Sequence, residues 1–286
     1  GDYLVIGIIG AGKAGTTLGK YLMKRDVAIS GFYSRNEKSA IESADFTKTR
    51  AYNNVADIIK VSDTLFITTP DGEIANIWDC ITAYQLTDKT ICHFSGSLSS
   101  AVFEGIDKTG ARGCSIHPMY AFSDKFTSYR QFSKAILTME GDLQAVHIMK
   151  DLFEALGHKV MTVQAEDKMK YHAAAALASN YMMGLFQMSV DLLKECGFEQ
   201  EDCYTLLGPL VRENIATMVE HGTEFALTGP IERNDIETVK KHLTVCSDSR
   251  IKNTYCNIGQ ELIDIAQKKY PNRDYTALRK ILSESD

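Results

Sequence analysis

The sequence has no hydrophobic run long enough to span a membrane, because its most apolar stretches are short and are interrupted by charged residues or glycine. It also lacks any concentration of positive charge: 31 Lys and Arg residues are scattered among 37 Asp and Glu residues, and the formal net charge is −6. Binding to nucleic acids or to an anionic membrane depends on clustered positive charge. We therefore expect neither a nucleic-acid partner nor a membrane partner.

Cysteine pairs of the kind that bind zinc are also missing. The seven cysteines are an odd number, and no two are spaced as CxxC. A disulfide framework is not expected in a chain of 286 residues, so we interpret them as reduced thiols, most of them buried as small apolar side chains. The apolar segment 4–9 lacks the basic flank and cleavage pattern of a signal peptide. These features predict a cytoplasmic protein without a metal site.

Short apolar runs alternate with helical patterns through the first half of the chain. The runs that we predict as strands are Leu4–Ile9, Val27–Tyr33, Thr64–Thr68, Thr90–Phe94, Gly113–His117, Ala135–Met139 and Lys159–Val163. Helical patterns lie between them near residues 13–24, 54–60, 72–83 and 142–156. Alternation of this kind predicts an α/β fold with a mostly parallel sheet covered by helices on both faces.

The strand signal stops near residue 165. A stretch of helical composition runs from 165 to 196, and further helices are predicted at 209–221, 235–246, 249–269 and 274–284. Asn234 or Asp235 is a plausible cap of one of these helices, and Asp274 caps the last. We therefore divide the chain into an α/β domain, 1–164, and an all-helical domain, 165–286.

The first strand leads into a glycine-rich turn, with G-x-G-x-x-G at Gly10, Gly12 and Gly15. In a strand–turn–helix context the first glycine permits the tight turn, the second lets the backbone approach a pyrophosphate, and the third lets helix and strand pack closely. The helix N-terminus then offers free N–H groups to the phosphates. This pattern indicates a dinucleotide site, because a simple strand–helix turn would not need all three glycines.

The end of the second strand selects the nucleotide. NAD-binding domains usually place a carboxylate there, whereas this chain reads Ser34, Arg35 and Asn36. A serine hydroxyl and a guanidinium suit a 2′-phosphate, so NADP is predicted, with a solvated loop arginine as the alternative. The full set of predicted cofactor contacts is Gly10, Ala11, Gly12, Lys13, Ala14, Gly15, Ser34, Arg35, Asn36, Thr69, Pro70, Asp71, Ser95 and Gly96.

Polar side chains cluster after two later strands. One run contains His93, Ser95 and Ser97, and the other contains His117 followed by Pro118, which we expect to end its strand and expose the imidazole. Histidine moves protons near neutral pH, and small hydroxyl residues orient a carboxylate or carbonyl. His93, which precedes its strand end, is interpreted as pointing into the sheet.

The long helix adds a further group of candidates. Lys168 and His172 are four residues apart and therefore share a face, and Asn180 lies two turns beyond His172. The predicted catalytic set is His117, His172, Lys168, Asn180 and Ser95, with His117 as proton donor or acceptor in a cleft between the domains. Ser97 is expected to help Ser95 orient the substrate.

Six motifs give the chain a family resemblance: GIIGAGKAG, TTPDGEI, HFSGSLSS, SIHPMYAF, KYHAAAALASNYM and LTGPIERND. Together they resemble the Rossmann-like proteins that carry the domain of unknown function 2520, usually described as NADP oxidoreductases. The group is distantly similar to prephenate dehydrogenase, pyrroline-5-carboxylate reductase, ketopantoate reductase and the beta-hydroxyacid dehydrogenases. The resemblance implies a C-terminal domain like that of 6-phosphogluconate dehydrogenase, which commonly forms dimers.

The resemblance transfers unevenly to single residues. His117 is similar to the catalytic histidine of prephenate dehydrogenase, and His172 falls near its helix-borne histidine. In beta-hydroxyacid dehydrogenases and ketopantoate reductase the matching helix carries Lys and, four residues later, Asn, whereas here Lys168 is followed by His172. Arg233, in the LTGPIERND loop, either reaches a substrate carboxylate or belongs to a helix-capping turn, and capping is the favoured interpretation.

Three functions compete at this point. The leading prediction is NADP-dependent hydride transfer to or from a small carbonyl, imine or hydroxy-acid substrate. The alternative is a catalytically silent NADP(H)-binding sensor or scaffold, and a methyltransferase that binds S-adenosylmethionine is weaker because no acidic residue follows the second strand. The long apolar helix also predicts a homodimer formed through the helical domain.

Overall fold

The computed structural model describes residues 4–284, which form two compact units divided between Ser179 and Asn180. The boundary between these units falls fifteen residues after the one drawn at 164, because the segment that follows residue 164 packs with the first unit. Lys168, for example, donates hydrogen bonds to Ser95 and Ser115. Each unit has its own buried core.

The first unit contains an eight-stranded sheet. Its strands are β1 (Val5–Ile9), β2 (Ala28–Tyr33), β3 (Arg50–Tyr52), β4 (Thr64–Ile67), β5 (Thr90–His93), β6 (Arg112–Met119), β7 (Ile136–Gly141) and β8 (Val160–Thr162). They lie in the order β3-β2-β1-β4-β5-β6-β7-β8, and β1 to β6 run parallel. β7 runs antiparallel to β6, and β8 runs parallel to β7. The predicted mostly parallel α/β fold is confirmed.

Helices cover both faces of this sheet. They are α1 (Lys13–Met23), α2 (Glu37–Thr47), α3 (Val55–Val61), α4 (Asp71–Ile81), α5 (Leu143–Ala155) and α6 (Lys168–Ala176). One core cluster packs α1, α2 and α5 against the sheet around Phe32 and Phe132, and another packs α3 and α4 around Ile67 and Trp78. Burial on both faces explains why β1 carries no polar side chain and why β4 has only Thr64.

The second unit is helical, as predicted. Its helices are α7 (Met182–Glu195), α8 (Gln200–His221), α9 (Thr223–Ala226), α10 (Ile236–Val245), α11 (Ser249–Lys269) and α12 (Thr276–Ser283). Val239, Ile263 and Leu278 are fully buried at its core. None of the helices described between residues 4 and 284 combines the length and hydropathy needed to cross a membrane.

The two predicted helix caps in this unit have different outcomes. Asp235, rather than Asn234, caps α10 by accepting a hydrogen bond from the Thr238 N–H. The N-cap residue of α12 is Tyr275 and not Asp274, although Asp274, one residue earlier, accepts a hydrogen bond from the Thr276 N–H. The structure therefore shows the favoured capping role of the loop that precedes α10, and the Arg233 side chain in that loop is exposed.

Candidate active site

The glycine-rich turn brings β1, α1 and the end of β4 into close contact. Gly10 has a φ of +114°, and a Cβ atom there would lie 2.8 Å from the Thr68 Oγ1. A Cβ atom on Gly15 would lie 2.3 Å from the Gly10 carbonyl oxygen. By contrast, a Cβ atom on Gly12 would have no neighbour within 4 Å. The first and third glycines are therefore required by packing, whereas the second faces open space.

The N-terminus of α1 points its free donors toward this open space. Gly12 is the N-cap residue, no side chain caps the helix, and the first turn carries no acidic residue. The first N–H groups therefore remain available, together with the partial positive charge of the helix end. Lys13 is exposed on this turn, and Ala14 is half-buried.

A cavity of about 290 Å³ extends from the turn along the ends of β1, β2 and β4. Its lining includes eight of the predicted cofactor-binding residues: Gly10, Ala11, Gly12, Ser34, Arg35, Asn36, Thr69 and Pro70. The Thr69 Oγ1 is buried there without a hydrogen-bond partner. Since a buried hydroxyl group rarely stays unpaired, this orphan group and the uncapped helix fit a bound dinucleotide.

The residues at the end of β2 have defined partners. The Ser34 hydroxyl oxygen accepts a hydrogen bond from the Asn36 N–H, which leaves its own proton free to be donated, and the Asn36 side chain caps α2. Arg35 is 67% exposed and forms an ion pair of 2.7 Å with Glu73 on α4. A carboxylate close to the predicted phosphate-binding arginine had not been foreseen from the sequence.

A hydrogen-bonded cluster continues from this cavity. Asp71 begins α4 directly after Pro70, and its carboxylate accepts hydrogen bonds from the hydroxyl groups of Ser95, at 2.7 Å, and Ser97, at 2.9 Å. The Ser95 hydroxyl oxygen also accepts from the N–H groups of Ser97 and Leu98. Ser95 is therefore fully engaged in holding this turn together, and Ser97 is the more accessible of the two serines.

Lys168 is the most deeply buried charged side chain of the cluster, with 1% of its surface exposed. Its Nζ donates to the Ser95 carbonyl oxygen at 2.7 Å and to the Ser115 Oγ at 3.0 Å. Ser115 in turn donates to the buried carboxylate of Glu140. Burial lowers the pKa of Lys168 to about 8, although the negative charges of Glu140 and Asp71 raise it. The side chain is therefore largely charged at neutral pH.

His117 and His172 meet beside Gly96. The two imidazole rings are 6.4 Å apart between centroids, and a Cβ atom on Gly96 would lie 2.9 Å from the His117 Nε2 and 2.7 Å from the His172 Cδ2. The His117 Nδ1 is 2.7 Å from the Tyr171 hydroxyl oxygen. Burial, and then the charge of Lys168, lower the pKa of His117 to about 4. Its imidazole is therefore neutral at pH 7.

The predictions for Pro118, which follows His117 on β6, and for His93 on β5 have different outcomes. Pro118 does not end its strand, since β6 continues to Met119 and pairs with β7 over that length. The pairing of β5 with β6 ends at Ser115, so among the described strands β6 has no neighbour on its β5 side at residue 118. Proline, which has no N–H to donate, is therefore tolerated within the strand at this position. His93 points into the sheet as expected and is fully buried, with its Nδ1 accepting from the Ser95 N–H.

The structure thus unites His117, His172, Lys168, Ser95, Gly96 and Asp71 in one cluster within the first unit. Asn180 lies in the second unit, in a π-helical turn, Leu177–Tyr181, and its role stays a prediction. Sequence reasoning missed Tyr171 and Glu140. Tyr171 lies within the KYHAAAALASNYM motif, between two residues that were considered, whereas nothing in the sequence around Glu140 indicates that it faces Ser115.

Family models match two parts of the chain: a Rossmann-like domain over residues 2–118 and the domain of unknown function 2520 over residues 135–262. The chain therefore carries both domains, which confirms the resemblance drawn from its motifs. A search of curated protein sequences found no match.

Solved structures share the fold at low identity. Protein TM1727 from Thermotoga maritima is 23% identical, with a TM-score of 0.72 over 92% of this chain and 99% of the other. The putative NADP oxidoreductase BF3122 from Bacteroides fragilis is 21% identical, with a TM-score of 0.69 over 94% and 98%. An imine reductase from Pseudomonas sp. is 14% identical, with a TM-score of 0.61 over 99% and 93%. At these identities the likeness shows the fold alone.

Proposed function

We propose that this chain is an NADP-dependent oxidoreductase that acts on a small substrate with a carbon–nitrogen or carbon–oxygen double bond, in either direction. The observation that carries the proposal is that the dinucleotide cavity and the cluster around Lys168 and His117 are continuous. Pro70 lines the dinucleotide cavity, and the next residue, Asp71, is hydrogen-bonded to the cluster that holds Lys168 and His117. Ligands of open parallel sheets lie outside these carboxyl ends of the strands.

The residues of the cavity have distinct tasks in this proposal. The N–H groups of the glycine turn and of α1 bind the pyrophosphate, and Thr69 donates its free hydroxyl to the cofactor. Ser34 and Arg35 bind the 2′-phosphate, which is the basis for proposing NADP rather than NAD. The nicotinamide would supply or accept the hydride, and the protein would supply orientation and electrostatics.

His117 is proposed to act on the heteroatom of the substrate double bond. Because its pKa is about 4, the imidazole is neutral at pH 7 and donates a hydrogen bond to the lone pair of the heteroatom, while the proton that accompanies the hydride would come from solvent. This refines the prediction that it is the proton donor or acceptor. Lys168, whose pKa is about 8, carries a proton at neutral pH and ties the turn after β5, through Ser95, and the middle of β6, through Ser115, to α6.

An imine is the substrate that Asp71 favours. The exposed carboxylate of Asp71 lies at the edge of the cluster, where it stabilises the positive charge that a neutral imine nitrogen gains as it takes up a proton and disfavours the negative charge that a carbonyl oxygen gains. The fold is shared with an imine reductase, with a pyrroline-5-carboxylate reductase from Coxiella burnetii and with a reductive aminase from Aspergillus terreus, which support the same class.

The cofactor part of the proposal is tested by calorimetry. Titration with NADPH, NADP⁺, NADH and NAD⁺ should detect binding, with NADPH preferred over NADH. If folded protein gives no heat of binding with all four nucleotides, the proposed dinucleotide site is refuted. NADPH oxidation in the presence of cyclic imines, aldehydes and 2-oxo acids then separates an enzyme from a silent NADP(H) sensor or scaffold, which would bind but not turn over.

His117 is tested with the His117→Ala variant. We expect turnover of any active substrate to fall by about 10²–10³-fold, the usual cost of removing a donor that stabilises the transition state. The Kd for NADPH should stay unchanged, because His117 does not line the dinucleotide cavity. A variant with the turnover of the unaltered protein would remove His117 from the mechanism.

The proposal extends to assembly and location. We propose a homodimer formed through the helical domain, since several large apolar side chains on its helices are exposed. A cytoplasmic location is supported by seven free thiols, five of them buried.

A further inference from the structure

We infer that Tyr171 is a positioning residue for His117: its phenol donates a hydrogen bond to the Nδ1, holds the ring in place and keeps the proton of the neutral imidazole on the Nε2. The Nε2–H group then faces the substrate. The catalytic part of this inference rests on the proposed function, whereas the state of the imidazole does not.

The contact between the two side chains is short and directional. The Tyr171 hydroxyl oxygen and the His117 Nδ1 are 2.7 Å apart, and the two rings are nearly perpendicular, at 88°, with centroids 5.4 Å apart. Tyr171 lies on α6 and His117 on β6, so the bond joins the helix to the strand that carries the imidazole. Both side chains are half-buried, which limits competition from water.

The direction of this hydrogen bond follows from chemistry. A neutral imidazole has one N–H donor and one acceptor nitrogen, so one proton must be assigned between its two nitrogens. The phenol is a stronger acid than the neutral imidazole and is therefore the better donor. Burial raises the pKa of Tyr171, so the phenol keeps its proton at neutral pH.

Thr138 supports the backbone of His117. It lies on β7 directly opposite His117 in the antiparallel pair, and its hydroxyl donates to the His117 carbonyl oxygen at 3.5 Å. The Thr138 proton is thus directed to the backbone, and the phenol of Tyr171 is the group that reaches the imidazole Nδ1.

The opposite edge of the imidazole is left accessible by a glycine. Gly96 lies close to the His117 Nε2, and any side chain at this position would reach within 3 Å of it. The charged and titratable groups that act on His117 are Lys168 and His172 from α6 and Asp71 from α4. None of these takes the place of Tyr171 at the Nδ1, so among the residues from 4 to 284 it is Tyr171 that is positioned to assign the proton.

The inference is tested by ¹⁵N NMR of the histidine side chains in the full-length protein near pH 7. Protonated and unprotonated ring nitrogens have well-separated ¹⁵N shifts. We expect the Nε2 of His117 to be of the protonated type and its Nδ1 to be unprotonated and hydrogen-bonded. In the Tyr171→Phe variant the Nδ1 signal should move to higher frequency, because that nitrogen loses its hydrogen bond. A protonated Nδ1 in the unaltered protein would overturn the inference.

The catalytic consequence has its own readout. In Tyr171→Phe, kcat should fall by about tenfold, the cost of one hydrogen bond, with the KM of the substrate and the Kd of NADPH little changed. An unchanged kcat would overturn the positioning role. If NADPH fails to bind to either protein, the proposed function fails, and the NMR result still decides the state of the imidazole.

The second unit provides a matched control. Tyr255 forms the same kind of contact with the His242 Nδ1, at 2.9 Å and with rings at 89°. The Tyr255→Phe variant removes a phenol hydroxyl from a Tyr–His pair outside the cluster. It should leave kcat and the His117 signals unchanged, and a fall in kcat equal to that of Tyr171→Phe would overturn the specific role of Tyr171.

Discussion

Arg35 is a single side chain with two possible partners. In the structure it pairs with Glu73 at 2.7 Å, yet it also lines the cavity proposed for the phosphorylated ribose. Exposed ion pairs are worth only about 0–1 kcal/mol, so a phosphate group can displace this one. In the proposed complex the negative charge of Glu73 would then lie near the 2′-phosphate, and we expect this repulsion to weaken NADPH binding.

The Glu73→Gln variant should therefore bind NADPH about two- to fivefold more tightly, since a weak competing ion pair and a repulsive charge are both removed. NADH binding should change little, because NADH has no 2′-phosphate. Calorimetric titration with both nucleotides measures the effect. Glu154→Gln, on the distant helix α5, is the charge-matched control. Weaker NADPH binding in Glu73→Gln would show that Glu73 holds Arg35 in place for the cofactor.

Single residues differ in how far the sequence could predict them. His117 and Lys168 stand in motifs whose residue types suggest chemistry, and the structure brings both into one cluster. Glu140 could not be found in this way, because its place opposite Ser115 is set by the antiparallel register of β6 and β7. The ion pair of Arg35 with Glu73 joins residues 38 positions apart in sequence, and no local pattern predicts it.

At the scale of elements, predictions failed where apolar periodicity is weak. The helix α2 and the three-residue strand β3 were not predicted, because α2 buries small and polar side chains such as Ala40 and Ser43. The Ser43 hydroxyl is 2.7 Å from the Thr16 hydroxyl, so a polar contact joins α2 to α1. Helix α8 begins nine residues before the predicted start, since Pro209 lies inside it and not in its first turn.

The glycine turn between β1 and α1 can be tested as an element. Gly12→Ala should leave the Tm nearly unchanged, because a Cβ atom there meets nothing within 4 Å. It should nevertheless weaken NADPH binding by at least tenfold, because the methyl group occupies the space proposed for the pyrophosphate. Calorimetry and thermal unfolding measure the two effects. Gly72→Ala, in the first turn of α4, also meets nothing within 4 Å and is the control for binding. Equal NADPH affinity in both variants would place the pyrophosphate elsewhere.

The strand β5 ends on a histidine whose burial makes folding depend on pH. His93 accepts from the Ser95 N–H and bonds the Ser99 carbonyl oxygen at 2.9 Å, and burial lowers its pKa to about 4. Below pH 6.5 the unfolded chain protonates His93, whereas the folded chain stays neutral until about pH 4. This histidine therefore lowers the free energy of unfolding as the pH falls through that window, by up to roughly 3 kcal/mol.

Urea unfolding at pH 7, 5.5 and 4.5 measures this effect. His93→Gln should be less stable at pH 7, because it loses part of the packing and hydrogen bonding, but its stability should fall less steeply toward pH 4.5. His147→Gln, which changes an exposed histidine on α5, should retain the slope of the unaltered protein. If His93→Gln retains that slope as well, His93 is not the titrating group.

At the scale of the whole molecule, the antiparallel extension of the sheet supplies the support for the site. β1 to β6 give a parallel sheet whose order reverses at β1, between β2 and β4, and the dinucleotide cavity lies at that point. β7 then contributes Thr138, which donates to the His117 carbonyl oxygen, and Glu140, which accepts from the Ser115 hydroxyl. The sequence predicted β7 as a strand but not its direction, so the contacts of Thr138 and Glu140 with the residues of β6 could not be predicted.

Assembly is the property of the whole molecule that remains to be tested. Large apolar side chains on the helices of the second unit are more than half exposed, among them Met183, Leu210 and Phe225. Faces of this kind usually mark an interface, and symmetric dimers are the commonest assemblies.

Light scattering during size-exclusion chromatography at micromolar concentration should give twice the chain mass of 31.8 kDa. The variant Met183→Glu/Leu210→Glu should be monomeric, because charges are costly in a buried interface. Leu143→Glu, which changes an 87% exposed leucine on α5, should stay dimeric. A monomer in the unaltered protein would refute the dimer.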